Sequence, residues 1–179
     1  MMADGAAYLD EVEAVVEALA DLGLEPILVG GMALVMIGSR RVTRDFDFVI
    51  PRPGERLERL VGVFYDRGLE LVSRLNEAGE VTATIANRRV AAVRLRLDAP
   101  SSAYFFNPET GLRIDVLFDL PIAAATLARR ARRTKVRSRV FRVASESDLL
   151  RLKKIASATR SSAADAVDIA FLEARRRRC

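Results

Sequence analysis

Residues 27–50 read ILVGGMALVMIGSRRVTRDFDFVI, and the fold of the whole chain turns on how they are read. The last six, Asp45-Phe46-Asp47-Phe48-Val49-Ile50, alternate charge with apolar bulk. An extended segment sends alternate side chains to opposite faces, so Phe46, Phe48 and Ile50 are expected on one face and Asp45 and Asp47 on the other. Two carboxylates on one face of a strand lie roughly 6.5 to 7 Å apart. A cation between them relieves their repulsion in a partly buried site. Oxygen-only ligands favour a hard ion such as Mg²⁺. Taken alone, the Asp-x-Asp pattern fits a solvent-facing edge strand equally well.

The residues upstream shift that balance. Ile27-Leu28-Val29 is predicted to be a short buried strand and Met32 to Ile37 a helix, with Gly30-Gly31 turning between them. A strand–Gly–Gly–helix turn lets a ligand approach the backbone closely and aims unpaired amide N–H groups at it, which suits phosphate. Phosphate donors beside an acidic pair imply chemistry on a nucleoside triphosphate.

Gly30-Gly31, thirteen residues and then Asp45-x-Asp47 resembles the first motif of the polymerase-β-like nucleotidyltransferases. The fuller wording, GGMAL…G..R.T.D.D with Gly38, Arg41 and Thr43 in place, resembles the branch that contains AbiEii- and MenT-type toxins of toxin–antitoxin systems. A third carboxylate follows in the strand expected over Leu112 to Leu120, where Asp115 stands between Ile114 and Val116. An acid in so apolar a strand is rarely decorative. By residue type it is a site acid or a partner of Arg113 or Arg94. By resemblance it is the third metal-site aspartate of the family. If its strand lies beside the first, Asp115 is a cross-strand neighbour about 5 Å from one of the earlier pair.

VASESDLLRLKKIA….R….D..DIAFL resembles the family's second block, with Lys153 as its lysine and Asp165 and Asp168 as its paired aspartates. Lys154 leaves a one-residue ambiguity. Ala164 stands where relatives often carry a basic residue, and Asp165 also fits a capping box with Ser162. The resemblance spans Gly30 to Leu172. It implies an α+β, polymerase-β-like core, a mixed sheet flanked by helices over residues 1–143. A C-terminal helical segment, 144–179, would pack on it as one compact unit. It further implies transfer of a nucleoside monophosphate from a nucleoside triphosphate to an acceptor hydroxyl, with Mg²⁺ or Mn²⁺. Asp45, Asp47 and Asp115 would be the metal ligands and, with Lys153, the catalytic set. Gly30, Gly31, Arg41, Thr43, Lys153 and Asp165 would meet the nucleotide. The acceptor implied is RNA, such as a tRNA end, and the partner a cognate antitoxin protein. Transfer to a small molecule or protein hydroxyl is the alternative, as is a non-catalytic nucleic-acid-binding relative. Retention of three mutually repelling acids argues against the last.

Composition narrows the chemistry independently. Histidine is absent and the only cysteine is Cys179, which removes Ser-His-Asp and Cys-His catalysis and internal disulfides. A reducing cytoplasm fits. The start, MMADGAAYLD, is acidic where a signal peptide needs basic residues, and the longest apolar run is too short to span a bilayer. The formal net charge is +5. No acid lies between Asp119 and Glu146, while Arg129, Arg130, Arg132, Arg133, Lys135, Arg137, Arg139 and Arg142 do, and Arg175 to Arg178 close the chain. Such clusters suit a polyanion or an evenly basic surface. Phe141 is the only aromatic residue among these cations, so phosphate contact is expected over base reading.

Elsewhere, helical spacing is expected over residues 5–22 from an Asp4 cap to a Gly23 stop, and again after Pro53 to Gly68. Strands are expected over 69–72, 81–86, 90–97 and 101–107, the second and third joined as a hairpin at Asn87-Arg88-Arg89. A helix is expected over 121–133, a single strand over 135–143 and a helix over 145–158 capped by Ser145. The last helix should start near Ser162 and bury Val167, Ala170, Phe171 and Ala174.

Overall fold

The computed structural model describes residues 5–160 and 162–177, so the Asp4 cap, Arg178 and Cys179 lie outside the described residues. In chain order the elements are α1 (Gly5–Asp21), β1 (Ile27–Val29), α2 (Gly30–Met36), β2 (Phe46–Ile50), α3 (Leu57–Tyr65), β3 (Glu70–Leu75), β4 (Val81–Ile85) and α4 (Arg88–Asp98). There follow β5 (Ser102–Phe106), β6 (Arg113–Phe118), α5 (Ala124–Arg130), β7 (Arg132–Val136), β8 (Arg139–Val143), α6 (Glu146–Thr159) and α7 (Ala163–Arg176). The strands form one mixed sheet in the order β4-β3-β5-β6-β2-β1-β8-β7. The β2–β6 and β1–β8 pairs run parallel, the others antiparallel. An α+β mixed sheet flanked by helices is the class expected.

The alternation in β2 sets the two faces of the sheet. Phe46, Phe48, Val49 and Ile50 are buried and Asp47 is the exception. Phe46 pairs with Ile114, and Ile114 with Phe105, so these three side chains share a face. On that face Phe64 of α3 stacks on Phe105 with ring centroids 3.8 Å apart. α1 and α4 pack beside α3, and Val12, Val15 and Leu19, at helical spacing, are the fully buried stripe of α1. That helix ends where expected: Gly23 takes φ +71° and Leu24 N–H donates back to the Leu19 carbonyl at 2.9 Å. The opposite face, carrying Asp47, is left for α2, α6 and α7. α6 packs on α2, and α7 on α6.

Four expectations are corrected. Residues 90–97 are not a hairpin strand but the body of α4. Asn87 accepts from the backbone N–H groups of Arg89 and Val90, which is an N-cap rather than a turn. The apolar positions that count are Ala91, Ala92 and Leu95, at helical spacing, while Val90, Val93 and Leu97 are exposed. Residues 135–143 are not one strand but the greater part of a hairpin. Its first strand, β7, absorbs the end of the helix expected to reach 133, and its turn places Arg137 at φ +57°. The last helix buries Asp165, Asp168 and Leu172, whereas Val167, Ala170 and Ala174 are exposed. Finally, Ser162 makes no side-chain cap bond, so the second capping box is absent; the Ser145 cap is present, accepting from Asp148 N–H. Among the described residues no helix is long and apolar enough to cross a membrane.

Candidate active site

Four strands contribute one row of side chains on the face away from α3. Tyr104 pairs with Asp115, Asp115 with Asp47, and Asp47 with Val29, across β5, β6, β2 and β1. Adjacent strands are about 4.8 Å apart, so the third carboxylate stands beside the second as a direct neighbour. Asp45 precedes Asp47 by two residues on the same side. All three aspartates line one cavity of about 560 Å³, whose wall also includes Gly30, Gly31, Arg41, Thr43 and Lys153.

The glycines have distinct steric reasons. Gly30 adopts φ +68°, and a Cβ there would collide with the Asp47 carboxylate oxygen Oδ2. Only glycine lets the backbone approach this carboxylate. At Gly31 a Cβ would come within 2.9 Å of the Arg41 guanidinium carbon, so the second glycine gives Arg41 its path.

The site carboxylates are short of positive charge. Burial, then the neighbouring Asp115 and Asp45, push Asp47 up to about 7, against the opposing pull of Lys153 and Arg113. Asp115 is also raised, burial outweighing the Arg113 guanidinium that grips it. That grip is two-pronged: Arg113 Nε donates to Asp115 Oδ1 at 2.7 Å and Nη2 to Oδ2 at 2.9 Å. Asp115 thus lines the cavity and is paired with Arg113, while Arg94 instead pairs with Asp98 on α4.

The helical block supplies the cations. Lys153 lines the cavity and is held from behind by Asp165 at 3.1 Å and Asp168 at 2.8 Å. Lys154 points away and pairs with Glu173, which resolves the ambiguity between the two lysines. Asp168 also accepts from Arg41. Asp165 accepts from Arg160 Nε at 3.0 Å. Burial would raise Asp165, but the hydrogen bonds from Arg160 and Lys153 overcome it and hold its carboxyl below the usual range. Both acids are almost fully buried, and Asp165 does not itself line the cavity.

Tyr104, Arg113 and Arg160 line the cavity and are not among the site residues expected from the sequence. Arg113 could have been found from its two-residue offset to Asp115 in a strand, which places both on one face. Arg160 supplies the cation expected next to Asp165, from a position five residues earlier rather than from 164.

Among the described residues, no group of three or more His, Cys, Asp or Glu side chains is arranged to hold a metal ion. The donor chemistry nevertheless fits a hard divalent cation. The ligands are oxygen-only, Asp47 has no hydrogen-bond or ion-pair partner among the described residues, and Gly30 leaves its carboxylate open to the cavity.

No family profile matches the chain and no curated protein matches it by sequence. Solved structures do match it by shape. The antibiotic-resistance factor ANT(2'')-Ia superposes with a TM-score of 0.60 at 11% identity, covering 94% of this chain and 84% of that one. The lincosamide antibiotic adenylyltransferase LnuA, in its lincomycin-bound form, gives 0.56 at 14% identity over 92% and 95%. An antigenic nucleotidyltransferase-like protein from Paracoccidioides brasiliensis gives 0.56 at 17% over 91% and 75%. Over more than nine-tenths of its length, the chain shares the fold of these three proteins.

Proposed function

We propose that the chain is a metal-dependent nucleotidyltransferase that moves a nucleoside monophosphate from a nucleoside triphosphate to an acceptor hydroxyl on RNA. One observation carries the reaction class: Asp47 and Asp115 are register partners on neighbouring strands, under-neutralised, beside a glycine pair that opens the backbone to a ligand. Asp45, Asp47 and Asp115 are the residues that would hold Mg²⁺ or Mn²⁺. Bound there, such ions offset charge on the phosphoryl oxygens and lower the pKa of an attacking hydroxyl.

The chain's own residues then have defined tasks. Backbone amides of Gly30 and Gly31 face the leaving phosphates, and Lys153 meets them as a point charge fixed by Asp165 and Asp168. Arg41, braced by Asp168, and Thr43 border the same phosphates. Asp115 accepts the proton of the acceptor hydroxyl. The acceptor oxygen bonds the α-phosphorus, the bond from that phosphorus to the bridging oxygen breaks, and pyrophosphate leaves.

Support for an RNA acceptor comes from the outer edge of the sheet. Arg130, Arg139 and Arg142 are consumed by Asp148, by Asp10 and Glu13, and by Glu25. Arg129, Arg132, Arg133, Lys135 and Arg137 are exposed. Arg132 pairs with Val143, and Val143 with Leu28, so the start of β7 lies at the same end of the sheet as Gly30. A phosphate backbone reaching the cavity would meet these cations.

The test is incubation with each labelled nucleoside triphosphate, Mg²⁺ or Mn²⁺, and total RNA. Label in RNA that is lost in Asp47→Ala supports the reading. Label only in a small molecule or in protein retains the reaction and changes the acceptor. No transfer and no nucleotide binding overturns it. The RNA reading carries a toxin role restrained by an antitoxin protein: expression of the wild type should arrest growth, and Asp47→Ala should not.

A further inference from the structure

Arg113 does more than neutralise an aspartate. Its guanidinium spends all three nitrogens: Nε and Nη2 on the two Asp115 oxygens, and Nη1 on the Gly79 carbonyl at 3.1 Å. Its flat face lies over the Tyr104 ring, 4.9 Å from the centroid. Gly79 belongs to the exposed turn between β3 and β4, where Gly79 N–H donates to the Asn76 carbonyl and Glu80 N–H to the Asn76 side chain. One guanidinium therefore ties the third carboxylate to the tip of a distant hairpin. The pair is well sheltered, with side-chain exposures of 17% for Arg113 and 11% for Asp115.

This contact is in competition with the proposed chemistry. A divalent ion and a guanidinium crowded on the one Asp115 carboxylate repel each other, so the two-pronged grip of Arg113 opposes cation binding there. Tyr104 offers the guanidinium a ledge on the cavity wall, and a planar fork released from a carboxylate matches a phosphate equally well.

Resting on the nucleotidyltransferase reading, we propose that Arg113 is a positioning residue that stands in for the metal. It holds Asp115 closed in the ion-free protein, leaves it when a divalent cation binds, and turns along Tyr104 toward substrate phosphate. The same departure frees the Gly79 carbonyl, so cation loading loosens the β3–β4 turn. The mechanism needs no bond to be made or broken, only an exchange of ion-pair partners.

The experiment is calorimetric titration of Mn²⁺ into wild type, Arg113→Ala and Asp47→Asn, with hydrogen exchange of the amides at 76–80. Arg113→Ala should bind Mn²⁺ about tenfold more tightly than wild type, and Asp47→Asn should not bind it. In the wild type Mn²⁺ should speed exchange at 76–80; in Arg113→Ala exchange should be fast already and indifferent to Mn²⁺. Arg113→Gln, which keeps the stem and a donor, serves if the alanine variant does not fold. Unchanged or weaker Mn²⁺ binding in a folded Arg113 variant overturns the proposal while leaving the functional reading standing. A turn whose exchange ignores Mn²⁺ in the wild type also overturns it. Absence of binding by both wild type and Arg113→Ala overturns the proposal and the reading together.

Discussion

Two groups of aspartates sit within one site and are treated in opposite ways. Asp165 and Asp168 on α7 are the more deeply buried, yet Lys153, Arg160 and Arg41 surround them, and Asp165 titrates below its usual range. Asp47 and Asp115 on the sheet are somewhat more exposed, but Arg113 grips Asp115 alone, so burial, then the neighbouring Asp115 and Asp45, push Asp47 up to about 7. The same side chain is a brace in one place and an unmet charge in the other. Burial alone does not separate the two; the local supply of cations does. A protein tolerates an unmet charge where a ligand will meet it.

The largest expected effect lies on the unmet side. Asp47→Asn should reduce nucleotidyl transfer by about 10³-fold or more, measured as label transferred per unit time. The same substitution should make the protein more stable, which a brace residue would not do. Next comes the braced side. Asp168→Ala takes the buried partner from Arg41 and leaves Lys153 with Asp165 alone, and should destabilise by about 3–5 kcal/mol, read from a urea midpoint. Were Asp168→Ala neutral and Asp47→Asn destabilising, the contrast would be inverted.

The pH dependence sharpens the contrast further. Asp47 has a folded-state pKa above its unfolded value of 3.8. The folded protein therefore binds the extra proton, and stability from this group is fully present below the unfolded value and lost as pH rises to about 7. The gain in stability from Asp47→Asn should grow by about 2–3 kcal/mol between roughly pH 5 and pH 8. Asp165 has the opposite sign: its pKa is lowered, so its contribution is present above the ordinary carboxylate value and lost as pH falls through the folded one. Denaturation of Asp165→Asn and wild type should therefore converge in acid. The smallest effect belongs to the outward lysine. Lys154→Ala removes only an exposed pair with Glu173 and should leave both the urea midpoint and the transfer rate essentially unchanged.

Much of the unmet side was legible in the residues. The alternation in Asp45 to Ile50 specifies a strand with an acidic face, and Ile114-Asp115-Val116 specifies an acid on an apolar strand. The glycine pair marks a close approach, although its steric reason, Gly30 against Asp47 and Gly31 against Arg41, is a three-dimensional fact. The braced side was legible only in part. Lys153, Asp165 and Asp168 stand out as a block, but Asp165 looks like a cap to Ser162 in one dimension and is a counter-ion in three. Residues 90–97 misled because Val, Arg and Leu alternate there with a period of two, while the buried set is two alanines and a leucine at helical spacing. The turn at Arg137 was hidden because a non-glycine residue takes the left-handed conformation. Arg113 was legible as a neighbour of Asp115, but its reach to Gly79 depends on the β3–β4 turn folding over the sheet edge.

The most direct test of the central claim is a crystal structure with Mn²⁺ and a non-hydrolysable nucleoside triphosphate, read by anomalous scattering from manganese. The expected result is a manganese peak within coordination distance of both Asp47 and Asp115, with the triphosphate running toward Gly30 and Lys153. A triphosphate bound elsewhere, or manganese absent from between those two carboxylates while nucleotide is present, would contradict it.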